Sequence, residues 1–263
     1  MELDIYSIIE EKCKEQFEFY NELEKYVERE LLLEINNLKK KTQTEEEEKL
    51  EWAISLLISQ GIKTYKSSII LIKSGYASNA LIVLRSLIEV IFNIDYIFEN
   101  SKFRYKRANN YLNNKMNDKV WKRAELSLNK SLYEIYKELS NFTHINFKMT
   151  CRNSNGSFIS IKESEDMVKS AVEVGNGIYY YFVYIICEIY NINKKNLNSI
   201  RIPDKIKDAV DAYTTEKNVI SEFMNILEEN GVDKNKALEE FKAYKIKKEI
   251  DKKNERKKSK SKN

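Results

Sequence analysis

Three side chains and one basic stretch are the parts of this sequence whose types and spacing could do chemistry. Arg85 and Glu89 stand four residues apart, the spacing that brings two side chains together on one face of a helix. Their surroundings are apolar, so the pair is expected to be buried and joined. A buried ion pair adds little to stability, which leaves two readings open: a fastener that sets helix register, or part of a site. His144 is the only histidine, so any imidazole chemistry must use it. It follows Leu-Ser-Asn-Phe-Thr at a helix end, where it could equally serve as a cap facing the helix dipole. The basic stretch interleaves Phe103, Tyr105, Tyr111 and Trp121 with Arg104, Lys106, Arg107, Lys122 and Arg123. Cations that track phosphates and rings that stack on bases suit single-stranded nucleic acid, whereas the plainer reading is a solvated helix with its rings packed inward. No glycine-rich phosphate loop, His-x-Glu zinc pattern, Cys-x-x-Cys or Gly-x-Ser-x-Gly element occurs.

The element that must position Arg85 and Glu89 is the run from Gly75 to Asn100. Placed on a helical wheel it is apolar nearly all round, with one polar seam of Ser78, Asn79, Arg85, Ser86, Glu89 and Asn93. Such a helix is expected at the centre of the fold. Before it, residues 3–39 repeat apolar positions at steps of three and four and predict one long amphipathic helix. Thr44 with Glu47 forms a capping box that opens a second helix, which Ser74-Gly75 stops. The second and third helices then make an antiparallel hairpin. The basic stretch predicts a short helix and a loop, with Asn113-Asn114 as breaker. Leu128, Leu132, Ile135, Leu139 and Phe142 mark the next helix. Asn155-Gly156 between alternating residues predicts a small β-hairpin near residues 147–161. Residues 163–192 return to helix with Gly175-Asn176-Gly177 as a weak point, and Pro203 suits the first turn of another.

One proline and six glycines in 263 residues argue for long helices. The expectation is an all-α, up-and-down bundle of six or seven helices carrying that hairpin insertion. Its parts are an N-terminal long helix (1–43), a helical core (44–192), C-terminal helices (193–250) and a basic disordered tail (251–263). The formal charge of +4 is unevenly spread, because residues 101–123 carry a surplus of +7 and residues 242–263 one of +8. Attraction to polyanions is therefore expected to be local. Cys13, Cys151 and Cys187 are scattered without metal spacing, which fits reduced thiols. The longest apolar run, Ile178–Cys187, is about half of a membrane span, and the expected location is the cytoplasm.

The segment SGYASNALIVLRSLIEVIFNIDYI, followed about fifty residues later by YKELSNFTH, resembles the bacterial family called domain of unknown function 5677. In that family a helix of the form A-L-x-x-x-R-S-L-x-E precedes Y-x-x-L-S-x-x-x-H, and the resemblance spans roughly residues 45–190. The family is similar to the HEPN helical proteins, many of them metal-independent RNases of toxin and antiphage systems. The resemblance therefore implies an RNase effector that needs no cofactor, with Arg85, Glu89 and His144 as its catalytic residues. HEPN proteins carry Arg four to six residues before His. Here the nearest upstream cation is Lys137, so an Arg–His pair must be assembled in space. The same resemblance implies RNA, a second copy of the chain, and an antitoxin or phage protein as partners. The rival expectation is a non-catalytic helical binding or sensor protein in a defence system.

Overall fold

A computed structural model describes residues 5–39, 44–98, 102–116, 119–120, 122–123, 129–140 and 165–214, and no strand occurs among them. The expected β-hairpin at 147–161, His144, Cys151, the chain beyond residue 214 and the basic tail at 251–263 lie outside the described residues. The all-α expectation holds for what is described.

The N-terminal run begins with α1 (Ile5–Lys12) and α2 (Lys14–Tyr26), passes through a π-helical turn at Val27–Leu31 and ends with α3 (Leu32–Lys39). The single helix expected here is thus divided. The reason for the π turn lies in the spacing of Leu23, Val27, Leu31 and Ile35, all buried and each four residues from the last. An α-helix turns 400° over four residues, so successive steps of four drift off one face. A locally wider turn holds them in line.

Next come α4 (Glu45–Lys73) and α5 (Ala77–Phe98), the expected hairpin. Thr44 Oγ1 accepts from the Glu47 amide at 3.2 Å and the Glu47 carboxylate accepts from the Thr44 amide at 3.1 Å, so the capping box forms as read. At the other end Gly75 adopts φ 82°. The Gly75 amide reaches Ile72 O and the Tyr76 amide reaches Leu71 O, both at 2.9 Å, which completes a Schellman stop. Leu84, Leu87, Ile88, Ile91, Phe92 and Ile94 of α5 are fully buried, as the apolar wheel required.

Beyond α5, the basic stretch forms α6 (Arg104–Leu112), closed by Asn114 at φ 53°. There follow α7 (Lys130–Ser140), α8 (Glu165–Ile189), α9 (Lys195–Ser199) and α10 (204–214). Asn129 caps α7 by accepting from the Leu132 amide at 2.9 Å. The α8 helix is as central as α5, since every residue from Gly175 to Cys187 is buried. Gly175-Asn176-Gly177 does not interrupt it. A Cβ at Gly175 would stand 3.1 Å from Leu84 Cδ1 on α5, so the glycine permits close approach of the two central helices. Among the described residues no helix is long and apolar enough to cross a membrane.

Candidate functional site

Arg85 and Glu89 do meet, but not in the interior. Arg85 Nη2 lies 3.2 Å from Glu89 Oε1, and the two side chains remain 30% and 31% exposed. The expected burial is corrected. The pair lies on the polar seam of α5 where α7 meets it. From α7 comes a third member, Tyr136. Its hydroxyl accepts from Arg85 Nη2 at 3.1 Å and donates to Glu89 Oε1 at 3.1 Å. The guanidinium carbon also stands 5.1 Å from the Tyr136 ring centre, within cation–π range. Phe92 meets that ring edge-on at 5.9 Å, and Tyr133 stacks beside it at 6.3 Å.

The electrostatics of this triangle are mutually consistent. Burial works against the Arg85 charge, yet the Tyr136 hydroxyl and the Glu89 carboxylate outweigh it and raise the Arg85 pKa. Burial is also the main reason that the Tyr136 phenol sits above its ordinary value, with Glu89 adding and Arg85 opposing. Tyr136 is thus a neutral phenol at physiological pH, donating to one partner and accepting from the other. Arg85 Nε is enclosed and has no hydrogen-bond partner. An unsatisfied donor on a cation is costly.

Sequence reading passed over Tyr136. It opens the Tyr-x-x-Leu-Ser pattern, and it precedes Ser140 by four residues, one helical face. His144 is outside the described residues, so the pairing of Arg85 with histidine has no geometry to report.

The five basic candidates divide by what they touch. Arg107 Nη1 donates to the Tyr96 carbonyl at 2.5 Å, and its guanidinium stands 4.2 Å from the Tyr96 ring centre. That contact pins α6 to the C-terminal turn of α5. Arg104 Nη2 donates to the Tyr105 hydroxyl at 2.7 Å, over the ring of the same residue. Lys106 and Lys122 are exposed, and Arg123 is half-buried. Both lysines are exposed, and the two α6 arginines hold local structure.

The buried ion pair anticipated at Arg85 occurs elsewhere. Glu24 of α2 is 7% exposed; it lies 2.8 Å from Lys66 Nζ of α4 and accepts from the Tyr179 hydroxyl of α8 at 2.6 Å. Tyr65 stacks on Tyr179 at 3.9 Å and donates to Asn176, whose amide donates to the Gln16 carbonyl at 2.8 Å. This ladder ties three elements together. Its signal in the sequence was a carboxylate, Glu24, standing beside Leu23 on the apolar stripe of α2. Among the described residues no three His, Cys, Asp or Glu side chains group so as to hold a metal ion.

Residues 51–130 match the model of a family of unknown function, DUF5677. The match takes in most of α4, all of α5 and the basic stretch, and it stops short of Tyr136, a narrower span than the 45–190 of the resemblance. No curated protein and no solved structure matches the chain.

Proposed function

We propose that this chain, placed in the DUF5677 family of unknown function by residues 51–130, is an RNase-like effector acting on RNA without a metal. The observation that carries the reading is the Arg85–Tyr136–Glu89 junction. It joins the Arg-Ser-x-x-Glu helix to the helix that leads, four residues past its end, to the only histidine. The two motifs resemble those of DUF5677, a family similar to the HEPN proteins, and that resemblance supports the same reading, although the HEPN spacing of Arg and His is absent here. In the reaction, neutral His144 takes the proton of an RNA 2′-hydroxyl. The freed oxygen bonds to the adjacent phosphorus, the 5′-oxygen leaves, and a 2′,3′-cyclic phosphate remains. Arg85 stabilises the charge that grows on the phosphoryl oxygens, while Glu89 and Tyr136 orient its guanidinium. One histidine per chain does not serve conveniently as base and acid together, so the acid for the leaving oxygen comes from a second copy across a composite cleft. Exposed Lys106 and Lys122, with Arg104, Arg107 and Arg123, supply attraction to the RNA backbone. A toxin or antiphage role follows from an activity of this kind.

A second reading has its own support. Arg85 already has both Glu89 and Tyr136, and α4 presents Trp52, Leu56 and Ile70 to solvent at 62%, 43% and 66% exposure. On that reading the triangle fastens α7 to α5 and the chain is a helical binding or sensor protein. Total RNA incubated in chelator with wild type, Arg85→Ala and His144→Ala protein separates the two. The enzyme requires cleavage by the wild type and a loss of about a hundredfold or more in each variant. No cleavage by any of the three leaves the binding protein, and cleavage that survives His144→Ala unchanged removes His144 as the base.

A further inference from the structure

A groove of about 740 Å³ runs along the outer side of the α4–α5 hairpin, walled at one end by Tyr111 of α6. Its size falls in the range of small-ligand sites. No carboxylate lines it; its surface is hydroxyl-rich, with Thr64 and Ser86 among several such groups, and it has apolar floor at Leu56 and Val83. Its one charge is Lys63. The other three lysines of α4 are neutralised, Lys49 by Glu45, Lys66 by Glu24 and Glu28, and Lys73 by Glu10. Among the described residues Lys63 has no ion pair, and it is exposed.

Two of its lining residues connect the groove to the rest of the molecule. Tyr111 belongs to the basic stretch 101–123, which carries a surplus of +7 in the sequence. Ser86, also in the lining, is the residue that follows Arg85 in the chain. A cation without a partner, an aromatic ring, hydroxyl donors and no acid match one ligand chemistry best: a phosphodiester strand with exposed bases and sugar hydroxyls. We propose that the α4–α5–α6 groove is a binding track for single-stranded nucleic acid, with a backbone phosphate at Lys63 and a base against Tyr111, leading the strand past Ser86 toward Arg85. The assignment rests on the RNase reading for its RNA substrate and goes beyond it in naming where the strand lies.

The probe is a fluorescently labelled octamer of 2′-O-methyl uridine, which has no free 2′-hydroxyl and stays intact whether or not the protein is an RNase. Anisotropy at low salt should show saturable binding. Lys63→Ala should weaken it and flatten the salt dependence by about 0.7 in slope, the share of one phosphate on a single strand. Tyr111→Leu should weaken it at least about fivefold through lost stacking, whereas Tyr111→Phe keeps the ring and should bind as wild type. Lys14→Ala, on the exposed face of α2, is the control that should change nothing. Equal affinity of Lys63→Ala, Tyr111→Leu and wild type, with an unchanged salt slope, overturns the proposal. So does a change in the protein's mass in solution with octamer binding untouched, since the groove is then a protein interface. Octamer bound through Lys63 with no RNA ever cut keeps the track and removes the enzyme. RNA cut at full rate by the Lys63→Ala and Tyr111→Leu variants keeps the enzyme and removes the track.

Discussion

Glu89 Oε1 receives hydrogen bonds from Arg85 and Tyr136 at once, yet both ends of the ion pair keep contact with water. Water screens such a pair and caps its worth at about 1 kcal/mol. Glu89→Ala should therefore lower unfolding free energy by about 1 kcal/mol in urea titration; a loss of about 3 kcal/mol would show a burial that the geometry denies. The reverse holds at Glu24. Lys66→Met leaves that enclosed carboxylate with the Tyr179 hydroxyl but no cation, and should cost about 3 kcal/mol. Glu24→Gln keeps a group able to accept from Tyr179 while Lys66 still reaches Glu28 at 2.6 Å, and should cost only about 1 kcal/mol. Equal losses in the two variants would mean that charge is not what this ladder supplies. Nothing in residue type separates these two Glu–cation pairs. The difference is that α2, α4 and α8 close over one pair, while the other, where α7 meets α5, stays 30% and 31% exposed.

Among the elements, α5 and α8 form the centre, and the glycines decide how closely helices approach them. A Cβ on Gly61 of α4 would press into the Phe182 ring of α8, which is fully buried and has nowhere to turn. Overpacking of this sort costs about 1–3 kcal/mol, so Gly61→Ala should destabilise even though alanine favours helix. A rise in melting temperature would mean that the α4–α8 contact is looser than described. The N-terminal rod makes a related point. Its run of apolar residues at steps of four was legible, but its consequence was not, because periodicity is read against an ideal 3.6-residue turn. The chain keeps its apolar face by departing from that turn at Val27–Leu31.

For the molecule as a whole, the core is unusually phenolic. Tyr65 and Tyr179 are fully or almost fully enclosed, and burial above all raises both phenols well above their ordinary value of about 10. Burial likewise pushes Tyr180 up to about 12. The folded state holds these protons at pH values where the unfolded chain has released them. Unfolding then releases protons, and stability falls as pH rises. The contribution is complete below about pH 10 and is lost above it. Melting temperature should be level from pH 7 to 9 and decline beyond about pH 10, with tyrosinate absorbance appearing together with unfolding. Tyrosinate that titrates freely near pH 10 in the folded protein would show these rings to be open to water.

By itself the sequence determined the helical class, the central place of α5, the Thr44–Glu47 cap, the Gly75 stop and the Arg85–Glu89 contact. Each of these is set by neighbours within about one or two turns, where spacing and residue type carry the information. The tertiary structure decided what depends on a distant element. It brought Tyr136 from α7 onto the Arg85–Glu89 pair across some fifty residues, and it sealed Glu24 rather than Arg85. Among the described residues it also left Lys63 as the lysine of α4 without an ion pair, in a groove that no acid lines. Burial and partnership are properties of which surfaces meet. A wheel drawn from one helix shows which face is apolar, and only the packing of the others shows whether its polar seam is covered.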